Sequence, residues 1–267
     1  MIKDNLGDRM KHNYEEISKT KLVRRMPVII RLDGCHFHTF THGLNKPFDN
    51  ILTQTMQTTM KYLCEHIQGC VLGYTQSDEI TLVLIDYQNL NTSAWFDYEV
   101  QKMCSVAASM ASYIFNKTFI ELVIRVDQEY GKLWNPSTDH VKYIDALWKC
   151  LEAGAFFDAR CFNIPKEEVT NCLLWRQKDA KRNSINSVAQ AHFSHKELQG
   201  LSISSVLKKL QEEKGIVWET DVAPENQMGV FCEKQTWAAD QHWTLKVWPE
   251  LIGQNREYVE RLINIGE

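Results

Sequence analysis

The chain has 267 residues, of which 44% are apolar and 24% charged, with a formal net charge of −4. That length and balance suffice for a full hydrophobic core in one or two domains, and no internal repeat or low-complexity linker interrupts it. No stretch is long and apolar enough to span a bilayer, and the polar start Met1-Ile2-Lys3-Asp4-Asn5 lacks a signal-peptide core, so a cytoplasmic protein is expected.

In chain order, Pro27-Val28-Ile29-Ile30-Arg31-Leu32 is short and β-branched and is bounded by Pro27 and Asp33-Gly34; it reads as a buried strand ending at Asp33. A loop from His36 to Phe48 follows, holding Gly43, Asn45 and Pro47. Asp49 is placed to cap a helix whose Leu52, Met56, Met60, Leu63 and Ile67 recur every three or four positions, with Gly69 as its stop. Val71 to Tyr74 and Ile80 to Ile85 then read as two strands joined by a polar turn, Thr75 to Glu79. A helical crossover returns a later strand parallel to the first, so the carboxyl end of the first strand and the hairpin tip can share an edge. Asp33 and Asp78 would then converge.

Further on, Thr92 to Lys117 reads as a long helix, Phe119 to Val126 as a strand, and Asp127 to Asp139, with Gly131 and Pro136, as a loop. Ala159 to Ile164 would return to the sheet. Lys166 to Phe193 reads as largely helical after Pro165, and Ser202 to Lys214 as an amphipathic helix ended by Gly215. Ile216 to Trp248 mixes aromatic and β-forming residues, with Asn226-Gln227-Met228-Gly229 as a turn.

Two acids brought together in this way are what nucleotidyl transfer needs, because carboxylates can hold hard divalent cations that neutralise phosphate charge. Gly34, lacking a Cβ, would let its backbone approach a metal or triphosphate closely. Each segment alone also reads as a solvated turn. The eight cysteines include no C-x-x-C pair and read as reduced core residues, and His36 and His38 without further ligands are a weak metal signal. With so mild a net charge, any nucleic-acid contact must come from local basic surface, such as Lys19 to Arg25 or Lys178 to Arg182.

Arg31-Leu32-Asp33-Gly34-Cys35-His36-Phe37-His38-Thr39-Phe40, then Lys46-Pro47-Phe48-Asp49, then Gly73-Tyr74-Thr75-Gln76-Ser77-Asp78-Glu79 resemble the histidine-tRNA guanylyltransferase family. The resemblance is greater to its guanylyltransferase-like branch, the reverse-direction (3′-to-5′) RNA polymerases. It continues through Trp95-Phe96, Lys102, Phe157-Asp158-Ala159-Arg160 and Trp175-Arg176-Gln177-Lys178-Asp179, covering about residues 20 to 185. It implies an α+β fold: a palm-like (ferredoxin-like) antiparallel or mixed sheet packed with helices, with a helical and β C-terminal extension. Residues 1–150 would form the catalytic core, and 151–267 would complete the sheet and serve tRNA binding and oligomerisation.

Carried over position by position, the resemblance implies that Asp33, Asp78 and the Gly34 carbonyl hold two Mg²⁺ ions. Glu79 would join the catalytic set by orienting its neighbours rather than binding metal directly. His38, Lys46, Asp49, Ser77 and Lys102 would contact the nucleotide; Arg160, Lys181, Arg182 and Asn183 would meet phosphate or tRNA. ATP and GTP or other nucleoside triphosphates are the implied substrates, tRNA the partner, and a homotetramer the assembly.

One departure bears on substrate choice. Histidine-tRNA guanylyltransferases carry a His-Ile-Asn-Asn-Leu-Tyr-Asn signature associated with the histidine anticodon; here the stretch reads Lys181-Arg182-Asn183-Ser184-Ile185-Asn186-Ser187. The expectation is therefore template-directed repair of 5′-truncated tRNA, with dedicated histidine-tRNA maturation as the runner-up. A nucleotide cyclase and a catalytically silent tRNA-binding module remain as readings from other classes.

Overall fold

The structure is a computed structural model that describes residues 6–132, 137–237 and 240–265. A short helix α1 (Leu6–Met10) precedes strand β1 (Val28–Gly34) and the single-turn helix α2 (Phe37–Phe40). There follow α3 (Asn50–His66), β2 (Cys70–Gln76), β3 (Glu79–Leu84), α4 (Val100–Tyr130), α5 (Thr138–Ala153) and β4 (Phe157–Asn163). The remainder comprises α6 (Lys166–His192), α7 (His195–Leu198), α8 (Ile203–Lys214), α9 (Trp218–Asp221), α10 (Pro224–Met228), β5 (Val230–Trp237), β6 (Asp240–Lys246) and α11 (Gln254–Ile263).

The strands form one six-stranded sheet in the order β4-β1-β3-β2-β5-β6, every neighbouring pair antiparallel. Because β1 and β2 both run antiparallel to the β3 between them, they are parallel to each other, as the helical crossover through α3 requires. The expected α+β, ferredoxin-like palm is thus present, extended by β5 and β6.

Alternation along the strands divides the core. Val28, Ile30 and Leu32 of β1 and Ile80, Leu82 and Leu84 of β3 face α3 and α4, where they meet Met56, Met60, Met103, Phe115 and Phe119. Ile29 and Val83 point to the other face, with Tyr74 and Phe231, against Val169 and Leu173 of α6 and Val259 of α11. With helices on both sides, β1 needs apolar residues at nearly every position, hence its continuous run. A third cluster joins Ile185 and Val188 of α6 to Val206 and Leu210 of α8 and to Trp218.

Several expectations are corrected. Phe119 to Val126 is not a strand but part of the 31-residue helix α4. Phe119 and Val123 are buried, and Leu122 and Val126 pack beside them at helical spacing, so tertiary burial outweighs the β preference of the branched residues. That helix begins at Val100 rather than Thr92, after a 3-10 turn, Trp95–Tyr98, in which Phe96, Asp97 and Tyr98 have positive φ. The expected loop from Asp127 to Asp139 is helical to Tyr130 and again from Thr138, where Ser137 caps α5; Pro136 lies outside the described residues. The expected turn at Asn226 to Gly229 is the end of α10. Gly229, at φ 76°, abuts Tyr74 and Thr75 so closely that a Cβ would lie 2.6 Å from the Tyr74 hydroxyl.

Candidate active site

Asp33 is the penultimate residue of β1, and Asp78 sits in the tight turn between β2 and β3. The turn is possible because Ser77 adopts a left-handed conformation at φ 51°. Two contacts hold these segments together: the β1–β3 register pairs Asp33 with Glu79, and the Gly34 N–H donates to the Asp78 carbonyl at 3.1 Å. The reason for glycine at position 34 is internal. A Cβ there would lie 2.3 Å from the Phe37 ring, so the aromatic cluster beneath the site, Phe37, Phe40, Phe115 and Phe157, occupies the missing volume.

Both acids are electrostatically unsatisfied. Burial raises the Asp33 pKa, the charges of Asp78, Glu79 and Asp158 raise it further, and only Arg160 opposes them. Burial likewise raises Asp78, helped by Glu79 and opposed by the Ser77 hydroxyl, which donates to the Asp78 carboxylate at 3.0 Å. Among the described residues neither carboxylate is ion-paired. A bound cation would reverse the repulsion, so this donor set fits a hard divalent ion. No group of three or more His, Cys, Asp or Glu side chains among the described residues is arranged to hold a metal, so an ion at the two acids would need other oxygens, such as phosphate or water, to complete its coordination. His36 and His38 are no exception.

Glu79 lies deeper and is already neutralised. Arg31 donates to one of its oxygens at 2.8 Å and the Arg176 Nε lies 2.7 Å from the other; Arg176 is also bonded to Asp179 at 2.6 Å, and Asp179 pairs with Arg182. A carboxylate held between two guanidinium groups ties the hairpin to β1 and α6. Arg31, Arg176 and Asp158 acquire no role from spacing alone, although Arg31 and Arg176 stand inside the Arg-Leu-Asp-Gly and Trp-Arg-Gln motifs.

A cleft of about 500 Å³ opens beside Asp78. One wall is the segment between β1 and α3, including His38, Lys46 and Asp49; the hairpin tip supplies Ser77 and Asp78; α6 supplies Asn183, Ser187 and Gln190; and Glu225 and Asn226 close the far side. Sequence reasoning did not find the contributions of Ser187, Gln190, Glu225 and Asn226, which come from elements distant in the chain. Within the cleft Asp49 is buried and its carboxylate is committed: it accepts from the Leu52 N–H at 3.0 Å as the α3 cap, from the Asn45 N–H at 3.1 Å and from the Tyr143 hydroxyl at 2.8 Å. It shapes the wall that carries Lys46.

The other expected contacts are dispersed. Arg160 lies on β4 in register with Arg31, so it shares a face with Asp33, and it pairs with Asp158 at 3.1 Å. Lys181 lies over the Trp218 ring, 5.7 Å from its centre. Lys102 is on α4, packed over Phe96 at 5.0 Å, and does not line the cleft.

A family model described as tRNAHis guanylyltransferase matches residues 7–165. An uncharacterized protein of Acanthamoeba polyphaga mimivirus is 30% identical over 251 residues, 88% of this chain and 79% of that protein. The Arabidopsis thaliana protein named tRNA(His) guanylyltransferase 2 is 28% identical over 160 residues, which is 59% of this chain and 25% of that longer one. Among solved structures, a bacterial tRNA(His) guanylyltransferase-like protein in complex with ATP aligns with a TM-score of 0.80 at 37% identity, covering 98% of this chain and 100% of that one. A bacterial tRNA(His) guanylyltransferase-like protein in complex with GTP aligns at 0.72 with 34% identity over the same shares. The Saccharomyces cerevisiae tRNA(His) guanylyltransferase, at 18% identity and a TM-score of 0.61 over 84% of this chain and 93% of that one, shares the fold. A palm that brings Asp33 and Asp78 together, with Asp78 lining the adjoining cleft, and a family match that spans that palm lead to one conclusion: the chain belongs to the tRNA(His) guanylyltransferase family of nucleotidyltransferases.

Proposed function

We propose that this chain repairs truncated tRNA by adding nucleotides to its 5′ end in the 3′-to-5′ direction, directed by the unpaired base on the opposite acceptor strand. The observation that carries the reading is the meeting of Asp33 and Asp78, neither of them ion-paired among the described residues, with Asp78 at the rim of the cleft. Two Mg²⁺ ions held by Asp33, Asp78 and the Gly34 carbonyl would supply charge neutralisation and activation of the attacking oxygen. His38, Lys46, Ser77 and Asn183 hold the nucleotide, Glu79 braces the hairpin, and Arg160, Lys181 and Arg182 meet RNA phosphates. Lys102 does not line the cleft, and this reading assigns it no nucleotide contact.

The chemistry has two steps. A 5′-monophosphate attacks the α-phosphate of ATP and releases pyrophosphate; the 3′-hydroxyl of an incoming nucleoside triphosphate then attacks the adenylylated end and releases AMP. A 5′-triphosphorylated RNA omits the first step and loses pyrophosphate in the second. Positioning and charge stabilisation supply the catalysis, so no Ser or Cys nucleophile is needed. The ATP and GTP complexes of the bacterial relatives support nucleotide substrates of both kinds.

In this reading residues 1–150 carry the catalytic core, while 151–267 complete the sheet and serve tRNA binding and assembly in the cytoplasm. An exposed apolar stripe on α4, Tyr113, Ile120 and Ile124, supports assembly with further copies, a homotetramer by family resemblance.

The names of the curated relatives favour a second reading, dedicated guanylylation of histidine tRNA. The test incubates the chain with truncated tRNAs, ATP, Mg²⁺ and labelled nucleotides, swapping the histidine anticodon in and out and matching or mismatching the template base. Dependence on the template base with indifference to the anticodon is expected. The reverse pattern establishes the second reading.

A further inference from the structure

Trp175 is 54% exposed, yet it stands within the charged side of the sheet rather than on a neutral surface. The Arg176 guanidinium lies 4.3 Å from its ring centre and that of Arg31 lies 5.4 Å away. Both cations are themselves fixed by Glu79, and Arg176 also by Asp179. A large aromatic ring is thus held in place by two anchored cations while half its surface stays open.

Its position relative to the acids is informative. Arg31 is two residues before Asp33 on the same strand and face, about 7 Å along β1, and its register partner on the outer strand is Arg160. Along α6, Trp175 precedes Asn183 by eight residues, about 12 Å. Trp175 does not line the nucleotide cleft, which lies toward β2, α3 and the later turns of α6. The acid pair therefore has the cleft on one side and Trp175 with Arg160 on the other. Since the two reactants must meet over Asp33 and Asp78, a nucleotide in the cleft leaves the Trp175 side to the RNA end.

On the basis of the proposed function, we infer that Trp175 is the stacking platform for the terminal base at the 5′ end of the RNA, with Arg160 receiving the phosphate attached to it. Stacking is indifferent to base identity, as an enzyme that extends successive ends requires, and an indole pre-set by two guanidinium groups loses little freedom on binding.

The experiment compares wild type with Trp175→Phe, Trp175→Leu and Trp175→Ala in the full chain, on a 5′-triphosphorylated truncated tRNA that bypasses adenylylation. The expected result is a rise of about tenfold or more in the KM for RNA in the Leu and Ala variants. Phe, which keeps an aromatic face for the base, should stay close to wild type, with the KM for the nucleoside triphosphate and the melting temperature unchanged. An unchanged KM for RNA in every variant overturns the inference, as does a rise in the nucleotide KM instead, or a Phe variant as poor as Leu. If wild type extends no RNA, the proposed function fails by itself; binding of a fluorescein-labelled truncated tRNA, followed by anisotropy, then decides the inference by the same ranking of variants.

Discussion

The two faces of one sheet are built from alternate residues of the same strands and do opposite work. Toward α3 and α4, β1 presents Val28, Ile30 and Leu32 to a dry aromatic and methionine core. Toward α6 the same strand presents Ile29, then Arg31, then Asp33, so this face begins apolar and ends charged. The difference teaches where each kind of free energy resides. Stability accumulates on the face where every neighbour is apolar, and repulsion is tolerated at the strand end of the other face, where Asp33, Asp78 and Asp158 crowd together.

The strongest test of the charged face is Asp33→Asn or Asp78→Asn. Each should lower nucleotide addition by about a thousandfold or more, since metal-supplied charge stabilisation is worth several kcal/mol, while the fold remains intact by circular dichroism. Added Mg²⁺ should raise the melting temperature of wild type and not of either variant. The pH dependence has a definite sign. A carboxyl whose folded pKa is raised above its ordinary 3.8 contributes stability that is full below that value and is lost as pH rises through the higher folded value. In metal-free protein the two acids should therefore lower stability as pH rises from 3.8, and Asp33→Asn should flatten that part of the wild-type profile of melting temperature against pH.

On the dry face the corresponding break is Phe115→Ala. Phe115 is fully buried and touches Phe37, Phe40, Phe119 and Phe157, so the cavity should cost about 3–5 kcal/mol in a denaturant titration. Activity should fall as well, because Phe37 underlies Gly34.

Arg176→Ala sharpens the comparison, because it removes a buried cation from the charged face. With Arg176 and Glu79 side chains only 6% and 8% exposed, losing one partner should cost about 3 kcal/mol. It should also reduce kcat through a loosened hairpin, leaving the nucleotide KM close to wild type. The smallest effects separate two lysines. Lys46→Ala, in the cleft, should raise the nucleotide KM by about tenfold, the value of one charged contact, whereas Lys102→Ala should leave the nucleotide KM unchanged.

Much of the first half of the chain was legible because its signals are local. The apolar run ending in Asp33-Gly34, the Asp49 cap and the hairpin around Ser77-Asp78 depend on residues within a few positions of one another, and the observed elements follow them closely. Where local preference and tertiary burial diverged, the reading failed. Ile120, Val123, Ile124 and Val126 look like strand residues until Phe119 and Val123 are seen to complete the helical face of α4. Helix α5 was not read as an element at all, although its Tyr143 fixes Asp49.

By itself the sequence determined which residues alternate toward the core, where the acids stand at strand ends, and the family motifs around them, because periodicity and turn chemistry act over short distances. Tertiary structure alone decided which partners surround the charged residues. Glu79 became a brace because Arg31 and Arg176 converge on it from a strand and a helix 145 positions apart (176 − 31), and Asp49 became a scaffold because three separate donors reach it. Lys102 stands outside the cleft because it is carried by α4 and packs over Phe96, whereas the cleft is walled by the β1–α3 segment, the hairpin tip and α6. A carboxylate's role depends on which charges and donors surround it, and those neighbours are assembled only when distant segments pack.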